Sequence, residues 1–143
     1  REHAKACRCG NRGCLEAAVA LPPMLDLLRP AYDEELDADR LLELDAAGDA
    51  GVRRVLRDAG VTAGRALADL SNSRNPELVV VGGPIGAAAS LLDGVRAAID
   101  RYAQPSVAAA LRVVPGVLGD HAEVRGAVAL AVARGSVAQP ATE

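Results

Sequence analysis

Cys7-Arg8-Cys9-Gly10-Asn11-Arg12-Gly13-Cys14-Leu15-Glu16 holds all three cysteines of the chain within eight residues, at the spacing C-x-C-x4-C. Three thiols this close can converge on one metal ion. Gly10 and Gly13 permit the tight turns that such a knuckle needs. Thiolates are soft ligands, so zinc is the natural occupant, and a structural zinc site is closed by four Cys or His groups. The alternative is a set of buried structural thiols or a fortuitous cluster.

Outward from the knuckle, a helix is expected from Cys14 through Glu16 to Ala20, interrupted by Pro22 and Pro23 and resumed over Met24 to Leu28. Residues 31–48 are acidic, with a short helical pattern through Leu36, Leu41, Leu42 and Leu44. The clearest helix spans Asp49 to about Asn72. Val52, Val55, Leu56, Ala59, Ala63, Ala66, Leu67 and Leu70 repeat along one face of it. Gly60 and Gly64 each weaken it by ~1 kcal/mol relative to Ala, and give room for another backbone to approach.

Leu78-Val79-Val80-Val81 is a β-branched run stopped by Gly82-Gly83-Pro84, the pattern of a buried parallel strand. A helix is expected from Ala87 to Arg101, with Leu91, Leu92, Val95, Ala98, Ile99 and Tyr102 on its inner face. Leu111 to Pro115 reads as a second strand. Asp120 reads as an N-cap paired with Glu123, opening a last helix from His121 to Arg134. Residues 135–143 are small and polar and read as a disordered tail. Alternating helices and strands imply an α/β fold with parallel strands.

The bulk composition excludes several classes. Half of the 143 residues are hydrophobic, with no Phe or Trp, so the core is aliphatic. Net charge is −3 and no basic run stands out, which gives little support for direct nucleic-acid binding. No apolar stretch reaches the roughly 18 residues of a membrane span. Clustered cysteines in a chain of ordinary core size fit a metal in a reducing, cytoplasmic compartment. The chain opens on Arg1 and not Met, and an upstream half is expected.

Two further groups carry chemistry. Glu16 by itself reads as a first-turn glutamate favoured by the helix dipole. Gly82 and Gly83, between a strand and a helix, either serve a tight turn or let backbone amides approach a phosphate or nucleotide. No paired catalytic acids, nucleophile–base arrangement or Walker-type loop is visible.

The run Cys7-x-Cys9-Gly10-x-x-Gly13-Cys14-Leu15-Glu16 resembles the zinc signature of the ROK family (repressor, open reading frame, kinase). Asn75-Pro76-Glu77-Leu78-Val79-Val80-Val81-Gly82-Gly83 resembles that family's later strand and glycine turn. Gly126-Ala127-Val128-Ala129-Leu130-Ala131 resembles its C-terminal helix. The resemblance spans residues 1–134 and implies the C-terminal lobe of an actin-like, ribonuclease H-like sugar kinase fold, with the zinc loop over residues 3–16.

It further implies that Cys7, Cys9 and Cys14 are zinc thiolates. The family's fourth ligand is a histidine in a Gly-His pair, which would precede Arg1; His3 stands at the wrong spacing. Glu16 would accept hydrogen bonds from a sugar. Gly82 and Gly83 would line an ATP site, although Pro84 stands where kinases often carry another glycine. Members are sugar kinases or sugar-responsive transcriptional regulators. We expect the effector-binding and oligomerising portion of a regulator, a homodimer or homotetramer that meets DNA only through an upstream domain. The alternative is part of an ATP- and Mg-dependent hexose kinase. The kinase's phosphate loop and base would lie upstream, so this segment alone is not expected to be an enzyme.

Overall fold

A computed structural model describes residues 6–137. Helix α1 is Glu16–Val19 and α2 is Leu21–Leu28, followed by a 3-10 turn at Arg29–Ala31. The prolines do not break a helix here. The break falls at extended Ala20, and Pro22 and Pro23 sit in the first turn of α2, where no intrahelical amide is required. Helix α3 (Ala38–Ala47) starts on Asp37, whose carboxylate accepts from the Arg40 amide, and stops on left-handed Gly48. Helix α4 runs Ala50–Arg74 and is capped by Asp49 through the Val52 amide.

Strand β1 (Leu78–Val81) leads through a turn to α5 (Ala89–Tyr102), then α6 (Pro105–Ala110) and β2 (Arg112–Pro115). The strands pair in parallel, Leu78 opposite Arg112 and Val81 opposite Pro115. A 3-10 turn at Gly119–His121 precedes α7, Ala122–Val137. Thus α7 begins one residue later than expected and runs through positions 135–137 of the expected tail. Residues 138–143 and His3 lie outside the described residues.

The α4–α5 pair is the spine of the fold. Its seam is made by backbone, because small residues face each other across it. A Cβ on Gly60 would stand 2.1 Å from the Leu91 carbonyl oxygen, and one on Gly94 would stand 2.3 Å from that of Arg57. The buried stripe of α4 therefore includes Gly60, Gly64, Ala68 and Ser71, while Leu70 faces out. Tyr102, expected on the inner face of α5, is exposed as well.

Two apolar clusters flank the spine. One joins Met24, Leu28, Leu41, Val52, Leu56 and Leu91, so α2 and α3 dock on the N-terminal half of α4. The other joins Ala68, Leu92, Val95, Ile99 and Val113 and seats the sheet. Only one face of β1 meets it. Val79 and Val81 pack inward, whereas Leu78 and Val80 are exposed, which corrects the expectation of a strand buried on both faces.

Candidate functional site

The cysteine loop is organised by its backbone before any ligand is considered. Ala6 and Arg12 form an antiparallel bridge. The Cys7 amide donates to the Asn11 carbonyl at 2.7 Å, and the Gly10 amide donates to the Cys7 carbonyl at 3.0 Å. Gly10 and Gly13 take φ of 86° and 74°, a left-handed conformation that glycine adopts at little cost. The loop folds back and feeds α1, whose first residue is Glu16.

This backbone gathers the three sulfurs within 4.8 Å of one another, with Cys9 Sγ 3.5 Å from Cys14 Sγ. A tetrahedral zinc ion with bonds of about 2.3 Å would place its sulfurs about 3.8 Å apart. The donor set therefore fits such an ion at three corners. The Asn11 backbone amide, then the Cys14 thiol, hold Cys9 below the usual thiol range. Hydrogen bonding with Cys9, then with Cys7, pushes Cys14 up to about 11. A bound dication would stabilise all three thiolates.

Glu16 adjoins this cluster. Its Oε2 lies 3.9 Å from the Cys7 sulfur. Both residues line a cleft of about 450 Å³ whose other walls come from the loop, α1 and α2. Ala17, Ala20, Pro22, Pro23 and Leu27 give it apolar surface, and Arg8, Glu16 and Asp26 give it charge. Apolar walls with a few polar groups are the make-up of a small-molecule site. The helix-dipole alternative for Glu16 loses weight, because α1 has only four residues to sum. Arg8 and Asp26 were not singled out from the sequence. No spacing marks them, since the α1–α2 break at Ala20 is what brings Asp26 to the cleft wall.

Gly82 and Gly83 stand elsewhere, in the turn after β1, and do not line this cleft. Gly83 has φ of 88°, and a Cβ at either glycine would meet nothing within 4 Å. Pro84 offers no amide, and the amides of Gly86 and Ala88 already donate to the carbonyls of Gly83 and Ile85.

A further polar site was invisible in the acidic stretch. Asp45 of α3 is buried, and its Oδ2 accepts from the Ser90 amide in the first turn of α5 at 3.2 Å. Helix α5 has Ala88 at its own N-cap, so Asp45 supplies from another helix the acceptor that Ala88 lacks.

With this geometry in hand, comparison with known proteins gives a match between the family model described as ROK family and residues 1–134. The chain belongs to the ROK family. This ROK chain is 32% identical over 140 residues to the glucokinase of Thermotoga maritima, covering 87% of this chain and 44% of that protein. It is 29% identical over 99 residues to the DNA-binding transcriptional repressor Mlc of Escherichia coli, covering 63% and 24% respectively. A solved ROK family transcriptional regulator, a homologue of E. coli Mlc, superposes with a TM-score of 0.73 at 28% identity. That match covers 80% of this chain and 32% of the regulator. The chain thus spans less than half the length of these ROK proteins, and both a kinase and a repressor are among its relatives. The α/β class expected from the sequence is borne out by the helices and the parallel strand pair. Among the described residues no helix is long and apolar enough to cross a membrane.

Proposed function

We propose that this chain is the effector-binding and oligomerising portion of a sugar-responsive ROK transcriptional regulator, the C-terminal lobe of an actin-like fold. Cys7, Cys9 and Cys14 hold a structural zinc ion, and Glu16 receives the sugar. The observation that carries this reading is the shared cleft: Glu16 Oε2 and the Cys7 sulfur stand 3.9 Å apart on its wall. A loop pinned by metal fixes the first residue of α1, and that residue is the acceptor for sugar hydroxyls. Sugar occupancy then favours one arrangement of a homodimer or homotetramer, and operator affinity follows. DNA is met only through a domain outside this sequence, in the cytoplasm.

The turn after β1 favours the regulator. Pro84 lacks an amide, and the amides of Gly86 and Ala88 are already bonded within the turn, which takes three positions from a phosphate cradle. One observation supports a second reading, an ATP- and Mg-dependent hexose kinase: the space beside Gly82 and Gly83 is open, as a nucleotide would require. Similarity to a glucokinase adds to it.

The test is a calorimetric titration with a panel of hexoses led by glucose, for the wild type and Glu16→Gln, with a parallel assay of ATP turnover. The regulator reading expects hexose binding without turnover, and affinity lowered about tenfold or more by the loss of charged hydrogen bonds. Hexose-dependent turnover would replace it with the kinase reading. Unchanged affinity in Glu16→Gln would remove Glu16 from the site.

A further inference from the structure

The three thiols are not equivalent. Cys9 and Cys14 form the close pair, with their sulfurs 3.5 Å apart, and Cys9 is exposed while Cys14 is half-buried. Cys7 is buried, and its sulfur is turned toward Glu16. Its backbone is held on both sides, by the Asn11 carbonyl and the Gly10 amide. A disulfide between Cys7 and Cys9 would close over a single intervening residue, Arg8. The segment between Cys9 and Cys14 is longer and contains Gly10 and Gly13, and a Cβ at Gly10 would touch nothing within 4 Å. That segment has the freedom to bring its sulfurs from 3.5 Å to the roughly 2.05 Å of a covalent bond.

We propose that Cys9 and Cys14 are a peroxide-sensitive dithiol, a site of reversible oxidative modification in which Cys7 takes no part. Exposed Cys9 attacks hydrogen peroxide; its sulfur becomes a sulfenic acid and one water leaves. The Cys14 sulfur then displaces the hydroxyl, giving the disulfide and a second water. Two electrons and two thiol protons pass to the peroxide in all. With a metal bound, this one event removes two of the three thiolates from its shell. The pairing stands on sulfur geometry, and only the release of metal rests on the zinc reading above.

The sequence makes the pairing directly readable. Arg8 and Arg12 separate the cysteines, so trypsin places each in its own peptide. The full chain is treated with limiting hydrogen peroxide, free thiols are alkylated, and the unreduced digest is mapped by mass spectrometry. The expected main product links the Cys9 and Cys14 peptides and leaves Cys7 alkylated, and dithiothreitol restores all three thiols. A main disulfide that includes Cys7, a disulfide between chains, or Cys9 carried to sulfinic acid while Cys14 stays alkylated would overturn the proposal. In Cys14→Ser, dimedone should trap a sulfenic acid on Cys9; should that variant fold poorly, the wild-type map decides alone. Running the same map after chelation separates the two readings. The Cys9–Cys14 link is expected with or without metal, whereas metal release during oxidation reports on zinc.

Discussion

The Cys7 sulfur and the Glu16 carboxylate stand 3.9 Å apart across nine positions of sequence, and both face the same cleft. Of the three thiols, Cys7 is therefore the one that reaches the cleft wall. Whatever fixes the sulfurs also fixes the carboxylate, because Cys14 lies two residues before Glu16 and its carbonyl accepts from the Ala17 amide.

Replacement of a thiolate is expected to act on metal and fold together. Cys9→Ser should lower metal affinity beyond the 10–100-fold typical of losing an outer-shell partner, and lower the melting temperature in the same preparation. Elemental analysis beside a thermal melt checks this. A metal-free variant that melts at the wild-type temperature would refute a structural zinc site.

The α4–α5 seam predicts opposite outcomes for one substitution at two glycines. Gly60→Ala drives a methyl to 2.1 Å from the Leu91 carbonyl, which can yield only if the helices separate. Overpacking of about 1–3 kcal/mol should outweigh the ~1 kcal/mol of helix propensity that Ala adds. Gly126→Ala in α7 meets nothing within 4 Å and should be neutral or stabilising by up to ~1 kcal/mol. Urea unfolding of both variants measures the contrast; a stabilised Gly60→Ala would contradict the seam.

Asp45→Ala removes the acceptor for the buried first turn of α5 and leaves the Ser90 amide without it. A loss of about 1–3 kcal/mol is expected, the cost of an unpaired buried donor. Hydrogen exchange should show the first turn of α5 opening more readily, while the far end of α5 changes less.

Stability should vary with pH through Tyr32 and Asp49. The Tyr32 hydroxyl, then the Val52 amide, hold the Asp49 carboxyl below its ordinary value of 3.8. Its contribution is full above that unfolded value and disappears as pH falls through the lower folded value. The hydrogen bond to Asp49, then burial, push Tyr32 up to about 12 from 10.0. That contribution is full below pH 10 and is lost as pH rises toward 12. Tyr32→Phe should flatten the alkaline limb and move the acid limb upward in pH. Melting temperature against pH for both proteins checks it, and identical curves would contradict the coupling.

Much of this architecture was legible where residue type and burial agree. The Val79-Val80-Val81 run, the apolar repeat from Asp49 to about Asn72 and that of α5 each gave the right element. The misread positions have physical causes. On α4, Gly60 and Gly64 do give room for another backbone, as expected, but counting apolar side chains put Leu70 on the buried face and left out Ala68 and Ser71. Pro22 and Pro23 look like breakers, yet they begin α2 because Ala20 has already left helical geometry. Helix α6 was not anticipated; Pro105-Ser106-Val107-Ala108-Ala109-Ala110 buries one side chain and has no period to detect. Asp45 was hidden among surface acids, since its partner Ser90 lies 45 residues away. At the site, C-x-C-x4-C announced the sulfur cluster, whereas the cleft beside it depends on the helix break at Ala20, which Pro22 and Pro23 marked without showing that it would bring Asp26 to the wall.

The most direct test of the central claim, that the thiol loop presents Glu16 to a sugar, is hexose affinity measured by calorimetry before and after chelation of metal. The account predicts that zinc leaves with the chelator, that affinity falls about tenfold or more with it, and that both return when zinc is restored. A metal-free protein that binds hexose as tightly as the untreated one would contradict it.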